Sequence, residues 1–214
     1  MRMTHIVSEV TAYDRKRQKV TLDEGDVTFL LYNGETARSG VDMAAFLRGE
    51  TVFLSGEDLQ RIFQEILLPR AKKRCLYYLK NGDRTEAQIK RKLREGFYPE
   101  PVVEETLSFL RRTHFADDSR FAENLSEGLK ETKSRREIAA KLYEKGVPKE
   151  ISDRILSEIT EEDEFRSCEK ALRKKCTGDR RKDLAYLLRK GYSYEACEQA
   201  FCALADQYSK EEEY

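Results

Sequence analysis

Few residues in this chain are equipped for covalent chemistry. The only imidazoles are His5 and His114, so a cysteine or serine nucleophile would have to take its base from one of those two. The five cysteines, Cys75, Cys168, Cys176, Cys197 and Cys202, form no CxxC pair, and no nucleophile signature surrounds any of them. No Cys or His pair has zinc-ligand spacing. Neither GxxxxGK[ST] nor GxGxxG occurs to cradle a phosphate. Asp117-Asp118 invites a metal or acid/base reading. The same pair, just before Arg120-Phe121-Ala122, is more simply a helix start, capping free N–H groups at the positive end of the dipole. His114 falls at a predicted helix end, where packing or the dipole accounts for it. The residues therefore predict no enzyme activity, no cofactor and no metal.

Basic clusters are what remain. They are Arg70, Lys72, Lys73 and Arg74; Lys90, Arg91, Lys92 and Arg94; Arg173, Lys174 and Lys175; and Arg180, Arg181 and Lys182. Lys73 shares a helical face with Tyr77 and Lys80, and Arg91 lies one turn from Arg94. Cations beside tyrosines can hold phosphates and stack on bases. They can equally dock an acidic protein surface, or form a solvated helix face. The chain holds 40 Lys+Arg against 40 Asp+Glu, a formal net charge of zero. That balance is a cancellation. Residues 70–115 carry 12 basic and 6 acidic residues, and each of the segments 1–69, 116–159 and 160–214 is net acidic. Zero net charge argues against indiscriminate nucleic-acid binding and leaves one local patch.

The elements that would position these clusters differ along the chain. Val7, Val10, Val20, Leu22, Val27, Phe29 and Leu31 fall in short runs separated by charged turns. They predict three strands near 5–13, 17–23 and 26–32 in an antiparallel meander that must pack on something else. A short helix around Met43 to Leu47 follows, and Ser55 with Asp58 opens a helix near 56–66. From Leu67 onward the pattern is helical and repeats. Leu93, Leu142 and Leu187 serve as origins. N-capping Thr85, Ser134 and Asp179 lie eight residues before them, and Gly96, Gly146 and Gly191 lie three or four after. Gln88 and Glu137 complete two capping boxes. With helices expected near 67–81, 118–131 and 163–176, the reading is three three-helix units stacked into an elongated, curved array. The expected organisation is a β-rich segment at 1–56, helical repeats at 57–115 and 116–160, and a third repeat with an acidic tail at 161–214.

Of the 214 residues, 37% are charged, against about 25% in an average domain. Thin helical repeats expose enough surface to explain that. No apolar run approaches the ~18 residues of a membrane span. Met1 to Val10 has no apolar core of a signal peptide. Five unpatterned cysteines predict reduced thiols and a cytoplasmic protein, and the apolar neighbours of Cys75 and Cys202 predict core positions.

The repeat resembles the RecX family of bacterial modulators of the RecA recombinase. The resemblance rests on Phe115-Ala-Asp-Asp-Ser-Arg-Phe-Ala122, similar to that family's D-D-x-R-F-A signature, and on Ser134-Arg-Arg-Glu-Ile-Ala-Ala-Lys-Leu-Tyr-Glu-Lys-Gly146 with Val147-Pro-Lys-Glu-Ile151. Thr85 to Leu93 repeats the pattern, and Asp183 to Gly191 follows it loosely. The N-terminal segment is similar to the β-rich extension of Gram-positive members. The resemblance implies a monomeric, non-enzymatic protein that binds RecA filaments on single-stranded DNA and inhibits strand exchange and ATP hydrolysis, with no membrane partner. The alternative is a protein that binds nucleic acid directly through the basic first repeat, and a third is a helical-repeat adaptor for another partner. The partner-binding candidates are Lys72, Lys73, Arg74, Lys90, Arg91, Arg94, Arg135 and Arg136.

Overall fold

The computed structural model describes residues 4–205, so the predicted acidic end, Glu211 to Tyr214, lies outside the described residues. The chain divides into two compact units, one reaching Ala116 and the other starting at Asp117.

The first unit opens with β1 (Thr4–Ala12), β2 (Arg17–Leu22) and β3 (Val27–Tyr32), the expected meander. Val20, Leu22, Phe29 and Leu31 alternate onto one fully buried face. After the short helices α1 (Thr36–Ser39) and α2 (Met43–Leu47) comes an unpredicted strand, β4 (Phe53–Ser55). It joins β1 antiparallel and gives the sheet order β3-β2-β1-β4. Three residues with one inward apolar side chain, Leu54, are too short for a period-two signal.

Ser55 caps α3 (Gly56–Arg61) by accepting from the Asp58 N–H. The helix does not stop there. It runs through a π-helical turn, Ile62–Leu67, into α4 (Leu68–Leu79). Pro69 has no N–H to offer the preceding turn, and the π turn sits where that hydrogen bond would be missing. The two separate helices expected near 56–66 and 67–81 are thus one rod. Its inner face, with Phe63, Ile66, Leu67, Ala71 and Cys75, joins the sheet to α5 (Glu86–Arg94) and α6 (Glu100–Arg112) in one continuous core.

The second unit contains α7 (Asp118–Leu129), α8 (Arg135–Lys145), α9 (Lys149–Glu158), α10 (Glu161–Lys175), α11 (Arg180–Lys190) and α12 (Tyr194–Ala203). Its two cores correspond to two three-helix repeats, centred on Leu142 and Leu187. The capping boxes Thr85/Gln88 and Ser134/Glu137 form, and Asp179 caps α11. Gly146 (φ +75°) and Gly191 (φ +92°) end their helices left-handed, as expected. Gly96 does not. The left-handed residue there is Phe97 (φ +55°), and Gly96 instead lies under the Tyr98 ring, where a Cβ would come within 3.0 Å. The turn keeps its place, four residues after Leu93 as after Leu142 and Leu187, and it is the glycine that lies one residue early in the first repeat.

Candidate partner-binding surface

α4 has no acidic residue from Ile66 to Lys80. Its apolar residues face inward and hold it, which leaves Lys73, Tyr77 and Lys80 exposed along one side, with Tyr77 71% exposed. None of the ion pairs among the described residues involves Lys72, Lys73, Arg74 or Lys80. Lys72 lies 4.7 Å over the Phe109 ring. Past the helix end, Arg84 stacks 5.0 Å over Tyr78. The result is a compact set of cations with two tyrosines among them.

α5 has a similar cation density and a different outcome. Lys90 Nζ reaches Glu100 at 2.8 Å and Glu104 at 2.5 Å. Arg94 donates twice to Glu100, at 2.9 and 3.1 Å. Arg91 and Lys92 pair with Glu95. Hydrogen bonds from Arg94 and then Lys90 pull the Glu100 carboxyl down to about 2 and raise both cations. Farther along, Arg111 grips Glu86 through two 2.6 Å bonds. Most acidic residues of the basic segment therefore serve α5 and α6, and its charge excess is concentrated on α4.

Arg135 is spent on the joint between the repeats of the second unit, and Arg136, itself exposed, lends that joint the methylenes of its stem. Arg135 donates to the Ile159 carbonyl at 2.7 Å and lies 3.4 Å from Glu164. Arg136 packs against Gly191, where an added Cβ would come within 2.5 Å of it. Beside them Ser134 Oγ donates to the Lys190 carbonyl, and Lys190 Nζ meets Glu137 at 3.0 Å. In the two C-terminal clusters, Arg173, Arg180 and Lys182 pair with Glu169, Glu198 and Asp179, while Lys175 stacks on Tyr186. The eight sequence candidates thus fall into three settings: exposed, half-buried or ring-stacked on α4, clamped on α5, and at a joint on α8.

Sequence reasoning missed an aromatic–cationic ladder on the outer side of the sheet. The Arg17 guanidinium lies 4.8 Å from the Tyr13 ring and 5.9 Å from Tyr32. Arg70, at the start of α4, lies 4.9 Å from the same Tyr32 and 5.4 Å from Tyr98. Arg70 also donates to the Leu30 carbonyl and to Glu35, fastening α4 to the β3 edge. Phe97 closes the set, edge-on to Tyr13 at 5.6 Å and beneath Lys19 at 5.4 Å. These partners are up to 84 residues apart in sequence (Tyr13 to Phe97), and the only local hint was Arg17 between two tyrosines.

Among the described residues no group of three or more His, Cys, Asp or Glu could hold a metal ion, and no helix is long and apolar enough to cross a membrane. Asp117 accepts from the Arg120 N–H and caps α7, and His114 ends α6 in a left-handed conformation (φ +55°). Cys75 is buried, and that burial pushes its thiol up to about 11. Cys202 is exposed, contrary to its apolar neighbourhood, because its side of α12 faces solvent while Phe201 turns inward.

Comparison with known proteins places these elements in a family. The family model described as RecX, first three-helix domain, matches residues 71–110, and that of the second three-helix domain matches residues 117–156. The regulatory protein RecX of Clostridium acetobutylicum is 34% identical over 148 residues, covering 64% of this chain and 69% of that protein. That of Clostridium perfringens strain SM101 is 28% identical, covering 66% and 71%. A crystal structure of a regulatory protein RecX superposes with a TM-score of 0.57 over 94% of this chain and 99% of its own, at 22% identity. RecX from Lactobacillus salivarius superposes with a TM-score of 0.56 over 64% of this chain and 96% of its own.

Proposed function

The chain belongs to the RecX family, and from that premise we propose that it is a cytoplasmic regulator that binds RecA filaments on single-stranded DNA as a monomer and inhibits their strand exchange and ATPase. The observation that carries this reading is the α4 face. Its exposed cations have no acid within the helix, and three-helix packing fixes its shape before any partner arrives. A preformed charged face loses little conformational freedom on docking and steers association toward an acidic, phosphate-bearing assembly. The motifs that carry the family likeness in this sequence are mostly packing and capping signals, which supports regulation by occupancy and not by chemistry.

The test is an ATPase titration of the cognate RecA on single-stranded DNA. Suppression at substoichiometric amounts of this protein is expected. Unchanged hydrolysis and strand exchange at a large excess would overturn the inhibitory reading.

A further inference from the structure

We propose that the outer side of the N-terminal sheet and the exposed face of α4 form one continuous track for a single-stranded nucleic acid. Single strands are held by aromatic rings that accept stacked bases, spaced among cations that follow the phosphates. Both components are present here in alternation. Tyr13, Arg17, Tyr32 and Arg70 follow one another at 4.8, 5.9 and 4.9 Å from guanidinium to ring centre. Arg70 then passes the line to α4. Helical spacing sets Lys73, Arg74 and Tyr77 on the same side of that helix, three, four and seven residues on, carrying the line about 10 Å farther.

Exposure separates a binding track from a mere weld. Rings that only fasten two elements end up enclosed, as Tyr98 is at 6%. Tyr13, Tyr32 and Tyr77 keep 46%, 37% and 71% of their surface in solvent. The guanidiniums fix the orientation of the first two rings, so their exposed parts meet a base with little further ordering. Two carboxylates lie along the line, Asp14 on Arg17 and Glu35 on Arg70. Each neutralises the guanidinium it holds, so Arg17 and Arg70 serve to orient the rings, and Lys19, Lys73 and Arg74 are left to follow the phosphates. An acidic protein surface would be served by the cations alone and gives no role to three exposed tyrosines. Duplex DNA keeps its bases stacked inside and cannot use them either.

The inference does not rest on the filament reading, because the measurement contains no recombinase. Fluorescence anisotropy of a labelled oligothymidylate is titrated with the intact protein across a salt series. Binding that weakens as salt rises is expected. Tyr77→Ala touches no packed contact and should weaken it about tenfold, with the salt slope unchanged. Lys73→Glu with Arg74→Glu should lower the slope by about two. Tyr13→Ala should weaken binding by a similar factor. Because that change also removes a contact to Phe97, its melting temperature is measured alongside, and Tyr13→Phe should restore affinity. Three results would overturn the proposal: no oligonucleotide binding at low salt, equal affinity for duplex of the same length, or wild-type affinity in both Tyr77→Ala and Tyr13→Ala. If RecA inhibition survives in the presence of any of these, the filament reading stands and only the track falls.

Discussion

Two neighbouring helices of the first three-helix unit make a controlled contrast. α4 carries Lys72, Lys73 and Arg74, with Lys80 just beyond its end, on a stretch without a single carboxylate. α5 carries Lys90, Arg91, Lys92 and Arg94 opposite Glu95, Glu100 and Glu104. Sequence composition rates the two clusters alike. In three dimensions one is an available field and the other is a clamp that closes α5 onto α6. What decides the difference is which part of α6 each cluster meets, Glu100 and Glu104 for α5 and the Phe109 ring for α4, not the density of cations within the cluster.

The contrast predicts a double dissociation. On the α5 side the decisive residue is apolar. Leu93 is fully buried, and Leu93→Ala should cost about 3 kcal/mol, lowering the melting temperature of the first unit by more than ~10 °C. Molecules still folded at the assay temperature should inhibit RecA normally. On the α4 side, Lys73→Glu with Arg74→Glu should leave melting unchanged and raise the half-inhibitory concentration about 100-fold, at roughly tenfold per reversed charge. Equal loss of inhibition in both variants at full folding would erase the distinction.

A smaller effect sharpens the structural half. Thr85 is completely buried at the start of α5, where its hydroxyl accepts from the Gln88 N–H while the Gln88 side chain returns to the Thr85 N–H. Thr85→Ala should cost about 1 kcal/mol, read by chemical denaturation, with inhibition per folded molecule unchanged. A change in inhibition without a change in stability would make α5 part of the docking face.

Much of the architecture was legible because it is written in local signals. Caps at Thr85, Ser134 and Asp179, and leucines at a fixed spacing, need only a few neighbouring residues to declare themselves. The β4 strand and the fused α3–α4 rod were not legible. The first is shorter than its own period, and the second depends on a π turn that suppresses the break Pro69 announces. The candidate surface was half legible. Clusters of Lys and Arg are plain in sequence, but their neutralisation is set by pairs such as Lys90–Glu104 and Arg111–Glu86, which only packing creates. The ladder through Arg17, Tyr32 and Arg70 was illegible for the same reason. It joins a hairpin to a helix start across 53 residues between Arg17 and Arg70.

The finest discriminator is a titration of one carboxyl. Glu100 is held down to about 2 by Arg94 and Lys90, below the roughly 4.3 of a free glutamate. A carboxyl depressed in the folded state contributes stability that is complete above its unfolded value and fades as pH falls through the folded one. The clamp on α5 should therefore remain closed at pH 4, where an unpaired glutamate is already largely protonated. Side-chain carbon NMR of Glu100 should show a midpoint well under 4, and Glu100→Gln should move melting by no more than about 2 °C, as befits an exposed pair. A midpoint at the ordinary glutamate value would mean that Lys90 and Arg94 are as available in solution as Lys73 and Arg74. The two helices would then form one basic surface, and charge reversal on α5 would have to weaken inhibition as strongly as it does on α4.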